Sequence, residues 1–418
     1  MQLTSEITRR SVLQAAAGLG LSFLVPALEG RAAEQRGNDR PKSLLVVWLA
    51  GGASQLETWD PHPGSATGGE TKSIKTAIND VQIADLYPQV AEQLGAFNVI
   101  RSLVSKEGDH ERGTIFMKTG YRPDPILTHP SLGAIVTHEL PSPGIEIPQH
   151  VSLGDANMPA RGGFLGDSLD AFRIYEPGYN LNNMRAHVSN DRQQQRIASL
   201  DVVTKAFAQG RRLQSSNTLH QLTVERALKM MSSEQLKAFQ LDDEPEAIKA
   251  AYGSHQFGRG CLVARRLLET GVRAIEVTLS GWDSHANNYG GHVTQSKLLD
   301  PALATLMREL QERDLMQSTV VLCIGEFGRT PTINGIAGRD HWPKWFSCLV
   351  GGGGMQAGRV LGETDPGGTK DSTDPIQVQD LYATVLKTLG VEYSKEFITR
   401  IGRPIKFSSG QPIERLLG

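Results

Sequence analysis

Gly281-Trp282-Asp283-Ser284-His285 is the stretch of this sequence that decides the fold. It continues directly from residues 272–280, Val-Arg-Ala-Ile-Glu-Val-Thr-Leu-Ser, which predict a buried strand. A carboxylate and an imidazole therefore stand where a strand ends. In α/β sheets, the residues that follow the carboxyl ends of the strands form the ligand-binding edge. The stretch predicts an α/β fold with a functional site at that edge.

Two similar polar clusters lie farther along the chain, each beside an apolar run. Gly325-Glu326-Phe327-Gly328-Arg329 directly follows residues 319–324, and Gly338-Arg339-Asp340-His341-Trp342 precedes residues 345–350. Three polar clusters beside three predicted strands indicate one shared pocket. The candidate metal ligands in these clusters are Asp283, His285, Glu326, Asp340 and His341.

These residue types favour a divalent metal. Three carboxylates and two imidazoles suit zinc, manganese or iron better than calcium. For any one of them alone, a helix cap or a hydrogen-bonded core histidine would be the simpler interpretation. Arg329 adds a planar guanidinium that suits phosphate, sulfate or carboxylate, although a structural salt bridge would explain it equally well. A metal beside an arginine can stabilise charge on ester oxygens, so hydrolysis is the leading chemistry.

Another cluster of ionisable residues, Asp109-His110-Glu111-Arg112, stands at the predicted start of a helix that Gly120 ends. Because a helix N-terminus favours anions, His110, Glu111 and Arg112 could form part of an anion or metal site. The alternative is a solvated helix start with Asp109 as its N-cap.

Strands and helices alternate on both sides of an irregular middle region, which predicts a mostly parallel central sheet flanked by helices. Residues 43–50 are apolar on both faces and predict a central strand. Gly51-Gly52 after it indicates a tight turn or a close approach of backbone to a ligand. Residues 154–251 predict an inserted loop followed by a helical region. Further predicted elements are strands at 97–103, 147–151 and 346–350, and helices at 86–94, 129–140, 261–270, 296–315 and 378–389.

The first 32 residues predict a twin-arginine export signal, which would leave residues 33–418 as the mature domain. Arg9-Arg10 precedes an apolar run over 15–28, and small residues up to Ala32 suit a signal peptidase. The run is shorter than the roughly 20 apolar residues that span a bilayer, and Pro26 interrupts it, so no stable membrane span is expected in the mature chain. The expected partner is the twin-arginine machinery, and the expected location is the periplasm or another site reached by export through this pathway.

The charge and the cysteine content exclude some classes of partner and site. A formal net charge of −2, without a Lys/Arg cluster among aromatic residues, gives no basic field for nucleic acid, so none is expected as a partner. Cys261, Cys323 and Cys348 are far apart in apolar surroundings. Their spacing matches neither a metal site nor a disulfide framework, and they are predicted to be core residues.

The order of these motifs closely resembles the exported bacterial family called domain of unknown function 1501. The resemblance covers nearly the whole mature chain and also includes Thr58-Trp59-Asp60-Pro61 near the first strand. That family is thought to be related to the alkaline phosphatase and sulfatase superfamily. The relation implies an alkaline-phosphatase-like α/β fold, with its mostly parallel sheet between helices and a metal site at the carboxyl edge.

Three positions depart from the superfamily pattern. Gly51-Gly52 stands where the superfamily places a metal-binding aspartate, His110 lies near the position of the nucleophile, and Phe327 replaces an expected histidine ligand. The usual two-metal site is therefore not assumed. The resemblance leaves a single metal held by Asp283, His285, Asp340 and His341 or Glu326, with His110 or Ser54 near it.

Two functions follow from these observations. The first is an exported, metal-dependent hydrolase of a small anionic ester, either a phosphate or a sulfate, with His110, Glu111 and Arg329 as catalytic residues. The alternative is a non-catalytic periplasmic binding or assembly protein that retains the fold.

Overall fold

Strands and helices alternate along the chain in the computed structural model, which describes residues 42–142, 144–184, 186–209 and 220–418. The predicted export signal lies outside these residues. The strands are β1 Ser43–Ala50, β2 Ser73–Lys75, β3 Gln82–Ala84, β4 Phe97–Val104, β5 His150–Leu153, β6 Phe172–Ile174, β7 Ala274–Ser280, β8 Thr319–Ile324, β9 Gly328–Arg329, β10 His341–Trp342, β11 Phe346–Gly352, β12 Val360–Leu361, β13 Ile376–Gln377, β14 Glu396–Ile398 and β15 Pro404–Lys406. The α-helices are α1 Pro88–Gln93, α2 His110–Thr119, α3 Leu132–Glu139, α4 Asn190–Ala208, α5 His220–Met231, α6 Glu246–Tyr252, α7 Gln256–Thr270, α8 Asn288–Glu312 and α9 Val378–Thr388.

The main sheet has nine strands among the described residues, in the order β12-β4-β11-β8-β1-β7-β5-β6, with β13 also pairing with β4. β1 runs parallel to both neighbours, β7 and β8, and β5 runs parallel to β7 and β6. Among the described strands of the main sheet, only β11 is antiparallel to both of its neighbours, β4 and β8. The prediction of a mostly parallel central sheet flanked by helices is confirmed.

β1 occupies the middle of this sheet because its side chains are apolar on both faces. Leu45 and Val47 belong to a hydrophobic cluster that includes residues of α7 and α8, whereas Leu44 and Trp48 belong to a second cluster with residues of α2, α3 and α9. The three cysteines are buried in these two clusters and are free thiols, as predicted. Helices thus cover both faces of the sheet.

Strand direction brings the polar clusters to one edge. β1, β4, β7 and β8 all end there, so the segments that follow each of them begin at this edge. β11 runs the opposite way, and therefore the residues that precede it, including β10, also lie at this edge. A single antiparallel strand thus lets a cluster before a strand meet clusters that come after strands.

Several element bounds differ from prediction. α3 begins at Leu132, because Ser131 is its N-cap and Ser131 Oγ accepts a hydrogen bond from the Ala134 amide at 3.2 Å. Pro130 therefore lies before the helix and not in its first turn. β5 begins at His150 and extends past the predicted end to Leu153. β6 lies within the stretch predicted to be irregular, since three residues are too few to show a strand period.

α8 begins at Asn288, well before the predicted start at residue 296. Its first turns are held by buried polar contacts that an apolar pattern does not reveal. The His292 Nδ1–H donates to the carbonyl of Asn288 at 2.9 Å, and His292 Nε2 accepts from the amide of Ser54 at 3.0 Å. These bonds tie the start of the helix to the loop after β1.

The region predicted to be helical contains α4, α5 and α6, with a 3-10 helix at Glu234–Phe239 between the last two. Its status as an insertion into the domain stays a prediction. No helix of the described ranges combines the length and the apolar character needed to cross a membrane.

Candidate metal-binding site

Asp283 lies at the centre of a cluster of side chains on the carboxyl edge of the sheet. Its Oδ1 accepts a hydrogen bond from Arg329 Nη2 at 2.6 Å and lies 3.3 Å from His285 Nε2 and 3.4 Å from His341 Nε2. Its Oδ2 lies 3.3 Å from His110 Nε2. The Asp283 side chain is 46% exposed, so the cluster is open to solvent.

Four separate segments deliver these side chains. Asp283 and His285 lie in the loop after β7, His110 is the first residue of α2, and Arg329 and His341 face each other in the short β9–β10 pair. Asp109 caps α2 by accepting a hydrogen bond from the Arg112 amide at 3.0 Å. The predicted N-cap is therefore present, and His110 nevertheless reaches the cluster.

The tautomer of His341 follows from its partner. His341 Nδ1 lies 2.7 Å from the carbonyl oxygen of Gly108. Because a carbonyl can only accept a hydrogen bond, the proton is on Nδ1, and neutral His341 carries a lone pair on Nε2. Burial lowers the pKa of His341, which favours this neutral form.

His285 and His110 are held in the same way by carboxylates. His285 Nδ1 lies 2.9 Å from Asp340 Oδ1, and His110 Nδ1 lies 2.8 Å from Glu326 Oε1. Glu326 is buried and also accepts the Gly51 amide at 2.8 Å. The hydrogen bond with Glu326 raises the pKa of His110. Each imidazole thus uses Nδ1 for an oxygen partner and directs Nε2 towards Asp283.

This donor set fits a divalent cation. Ligand atoms of His110, Asp283 and His341 all lie within 4.8 Å of one another. His110 Nε2 is buried and has no hydrogen-bond partner, and the Nε2 atoms of His285 and His341 are only 2.9 Å apart. Two facing lone pairs need a proton or a cation between them. Imidazoles oriented by carboxylates or backbone carbonyls through Nδ1 are the usual arrangement of histidine metal ligands.

Arg329 lies behind Asp283 and is fully buried. Besides Asp283, it donates from Nε to the carbonyl of Gly52 at 2.9 Å, from Nη1 to the carbonyl of Arg339 at 3.1 Å, and from Nη2 to the carbonyl of Gly51. Burial raises the pKa of Asp283, but the hydrogen bond and charge of Arg329 outweigh it and lower that pKa to about 2. Arg329 therefore keeps Asp283 ionised and fixed in orientation.

Gly51 and Gly52 allow the backbone to pass close to the cluster. Both have positive φ, and a Cβ on Gly51 would lie 2.5 Å from the amide nitrogen of Asp283. A Cβ on Gly52 would lie 2.7 Å from the ring of Phe327. The two glycines form a turn that approaches neighbouring loops of the same chain. Only glycine fits both the conformation and the space.

Phe327 forms the floor of the cluster. It is fully buried, and its ring centroid lies 4.4 Å from that of His341 and 5.1 Å from that of His110. The residue that stands in place of an expected histidine ligand therefore packs beneath two other histidines.

The structure brings together seven of the eight residues that the sequence assigns as metal ligands or catalytic residues. Asp283, His285, His341 and His110 face one point, whereas Glu326, Asp340 and Arg329 contact these four from outside. Glu111 is exposed next to His110, and its side chain makes no hydrogen bond or ion pair with the cluster in the described part of the chain.

Two supporting groups were not assigned a role from the sequence. The carbonyl of Gly108 fixes His341, and a backbone atom carries no sequence signal. Arg339 is fully buried, and its Nη2 donates to Glu57 Oε1 at 2.8 Å and to the carbonyl of Thr67 at 2.8 Å. These bonds anchor the segment that carries Asp340 and His341. For Arg339, the sequence offered one signal, which is that a charged residue stands within a polar cluster that also carries Asp340 and His341.

Residues 41–417 match the family described as Protein of unknown function (DUF1501). No curated protein matches the chain in sequence. Among solved structures, it is similar to the lipoteichoic acid synthase LtaP from Listeria monocytogenes, with a TM-score of 0.42 and 10% identity over 89% of this chain and 76% of that one. It is also similar to the PsFucS1 sulfatase from Pseudoalteromonas sp., with a TM-score of 0.39 and 11% identity over 87% and 70% of the two chains.

A third similar structure is a variant of TAB5 alkaline phosphatase with magnesium bound. Its TM-score is 0.40 and its identity 13%, over 84% of this chain and 99% of that one. Likenesses at this level are distant and assign neither a residue role nor an activity.

Proposed function

This chain belongs to the DUF1501 family, and we propose that it is an exported, metal-dependent hydrolase of phosphate or sulfate esters. The observation that carries the proposal is the convergence of three imidazole Nε2 atoms on the carboxylate of Asp283. The buried Nε2 of His110 supports it, because this atom makes no hydrogen bond although Asp283 Oδ2 lies 3.3 Å away, and a buried polar atom without a hydrogen bond indicates an unaccounted ligand.

The proposed metal ligands are His110, Asp283, His285 and His341. Zinc, manganese and iron all suit such a set, and the majority of imidazoles favours zinc. When bound, a divalent cation supplies Lewis-acid polarisation of an ester oxygen and acidifies water in its coordination sphere.

The protein's own groups prepare the site for this chemistry. Glu326, Asp340 and the carbonyl of Gly108 hold the three rings in orientation, and Arg329 keeps Asp283 ionised. Phe327 closes the site from below, while the half-exposed cluster leaves the opposite side free for an ester to approach.

The proposed roles of four residues change in the light of these contacts. Glu326 and Asp340 were candidate metal ligands and are proposed instead to orient His110 and His285. His110 was expected to be catalytic and is proposed as a metal ligand. Arg329 was expected to hold the anion, but four of its N–H groups already bind protein oxygens, so it is proposed to position Asp283. Glu111, which is exposed and follows His110 in the chain, is proposed to contact substrate or to transfer a proton.

Residues 1–32 are proposed to direct export through the twin-arginine pathway to the periplasm. The mature domain is proposed to span residues 33–418, with an insertion at about 154–251. Export of a folded chain by this pathway would allow the metal to be acquired before translocation.

Elemental analysis of the natively exported protein, followed by assays with phosphate monoesters, phosphodiesters and sulfate esters, tests the proposal. Bound metal with turnover that a chelator abolishes and the metal restores is the expected result. A protein without metal and with full thermal stability would contradict it. Metal without turnover, together with saturable ligand binding, would favour the non-catalytic alternative.

A further inference from the structure

A groove lined by cations lies on a separate part of the surface, between the loop that follows α2 and the β14–β15 hairpin. Its volume is about 430 Å³. We call it the basic groove, and its lining includes Tyr121, Arg122, Asp124, His129, Arg403 and Lys406. None of the side chains proposed as metal ligands lines it.

Positive charge predominates in the basic groove. Three cations, Arg122, Arg403 and Lys406, line it with one carboxylate, Asp124, which lies 3.5 Å from Arg403 Nη1. Arg122 also pairs with the carboxylate of Glu107, which it shares with Arg112, so the excess of positive charge is smaller than the lining alone indicates. The side chains of Arg122 and Arg403 are more than half exposed, and Lys406 is also exposed. Burial lowers the pKa of His129, so this ring adds no charge near neutral pH. Such an excess attracts an anion.

Three exposed isoleucines lie on the two elements that form the basic groove. Ile126 is 76% exposed in the loop, and Ile398 and Ile401 are 62% and 57% exposed on the hairpin. Ile398 lies opposite Pro404, which lines the groove. Asp124 links the two elements, since its Oδ1 accepts the Ile126 amide at 2.8 Å while its Oδ2 faces Arg403.

Large aliphatic side chains beside cations suit the boundary between lipid headgroups and acyl chains. We propose that the basic groove and its three isoleucines form a docking surface for a membrane that contains anionic phospholipids. The cations bind the phosphate of the headgroup, and the isoleucines insert at the boundary between headgroups and acyl chains. Charge complementarity supports this occupant over a second copy of the chain, because a symmetric contact would bring the same cations together.

Flotation of the full chain with phospholipid vesicles tests the proposal. We expect binding to vesicles of phosphatidylcholine mixed with phosphatidylglycerol, and none to phosphatidylcholine alone. Each cation near an anionic surface strengthens binding about fivefold, so Arg403→Gln combined with Lys406→Gln should weaken it about 25-fold. Ile398→Ser combined with Ile401→Ser should also weaken it, through loss of buried apolar area.

Matched controls separate this surface from general effects. Lys75→Gln removes an exposed cation outside the groove, and Val202→Ser removes an exposed aliphatic side chain from α4, so both should bind as the wild type does. Circular dichroism should show that all variants are folded, since the changed side chains are exposed. Metal content should also be unchanged in every variant, which keeps this test separate from the proposed hydrolase.

Several results would overturn the proposal. These are equal binding to both kinds of vesicle, no binding to either, or wild-type binding by the groove and isoleucine variants. Saturable binding of glycerol phosphate or of a polyglutamate peptide, with no binding to vesicles, would assign the groove to a soluble anion or to an acidic protein instead.

Discussion

The Nε2 atoms of His285 and His341 face each other at 2.9 Å, although each ring already uses its Nδ1 to bind an oxygen. Asp340 holds one ring and the carbonyl of Gly108 holds the other. Because neither ring can turn without losing that partner, the two lone pairs stay directed at the same point. A cation at that point satisfies both.

Removing either ring should therefore remove the metal. We expect His285→Ala and His341→Ala to lose the bound ion on dialysis, while the wild type retains about one ion per chain. Elemental analysis of the dialysed proteins measures this. His138→Ala is the matched control, because His138 is an exposed histidine that pairs with Glu139. Wild-type metal content in both site variants would contradict the ligand assignment.

Changing the carboxylates that orient the rings should lower the affinity for the metal without abolishing its binding. Glu326→Gln and Asp340→Asn keep the size of each side chain but remove the charge that holds Nδ1–H. Loss of such an outer contact lowers metal affinity by about 10- to 100-fold. Competition with a chelator measures the affinity, with Glu234→Gln as an exposed control. The interpretation fails if the two variants bind metal as tightly as that control does.

Arg329→Met should destabilise the fold as well as the site. It would remove a buried cation and leave three backbone carbonyls and Asp283 without their donor. With allowance for the partial exposure of Asp283, the free energy of unfolding should fall by about 3 kcal/mol. Urea denaturation measures the change. Arg308→Met, at an exposed pair with Glu312, should cost no more than about 1 kcal/mol. Equal effects of the two substitutions would contradict this role.

A second buried arginine supports the helices that cover the sheet. Arg265 is 2% exposed and contacts Glu244 at 2.6 Å and Glu309 at 3.1 Å. Arg265→Met would leave both carboxylates buried without this partner, which should lower the free energy of unfolding by about 3–5 kcal/mol. Urea denaturation at neutral pH measures this decrease, with Arg308→Met again as the control. A decrease no larger than that of the control would refute the prediction.

The contribution of Arg265 should also depend on pH. Burial raises the pKa of Glu244, but Arg265 and Arg266 outweigh it and lower that pKa below its ordinary value. A lowered pKa in the folded state gives stabilisation that is present above the ordinary pKa of glutamate and is lost as pH falls through the folded-state value. The difference in the free energy of unfolding between wild type and Arg265→Met should therefore become smaller as the pH falls. If urea denaturation shows that this difference in free energy grows as the pH falls, the prediction is wrong.

Export should depend on the paired arginines near the N-terminus. Arg9→Lys combined with Arg10→Lys should leave the precursor in the cytoplasm, whereas the wild type is expected in the periplasm, cleaved near Ala32. Cell fractionation followed by mass spectrometry of the N-terminus tests this. Arg31→Lys keeps the twin arginines and should be exported normally. Normal export of the double variant would refute the twin-arginine route.

The elements of the sheet were predictable because their signals are local. The bounds of β1 and β8 follow from short apolar runs that end at glycine, and those of α2 follow from Asp109 as N-cap and Gly120 as its end. The predicted bounds were wrong where buried polar contacts replace the apolar pattern, as at the start of α8 beside His292. The sequence also indicated that three polar clusters share one edge.

The roles within the site were decided by tertiary structure alone. Glu326 and Asp340 carry the same carboxylate chemistry as Asp283, and only their positions show that they face imidazole Nδ1 atoms. The Gly108 carbonyl that directs His341 is 233 residues away in the chain. Sequence determined which donor types gather at the sheet edge, because residue identity and strand pattern are local properties. Tertiary structure decided which atoms face one another, because a hydrogen bond between distant segments depends on how the whole sheet is assembled.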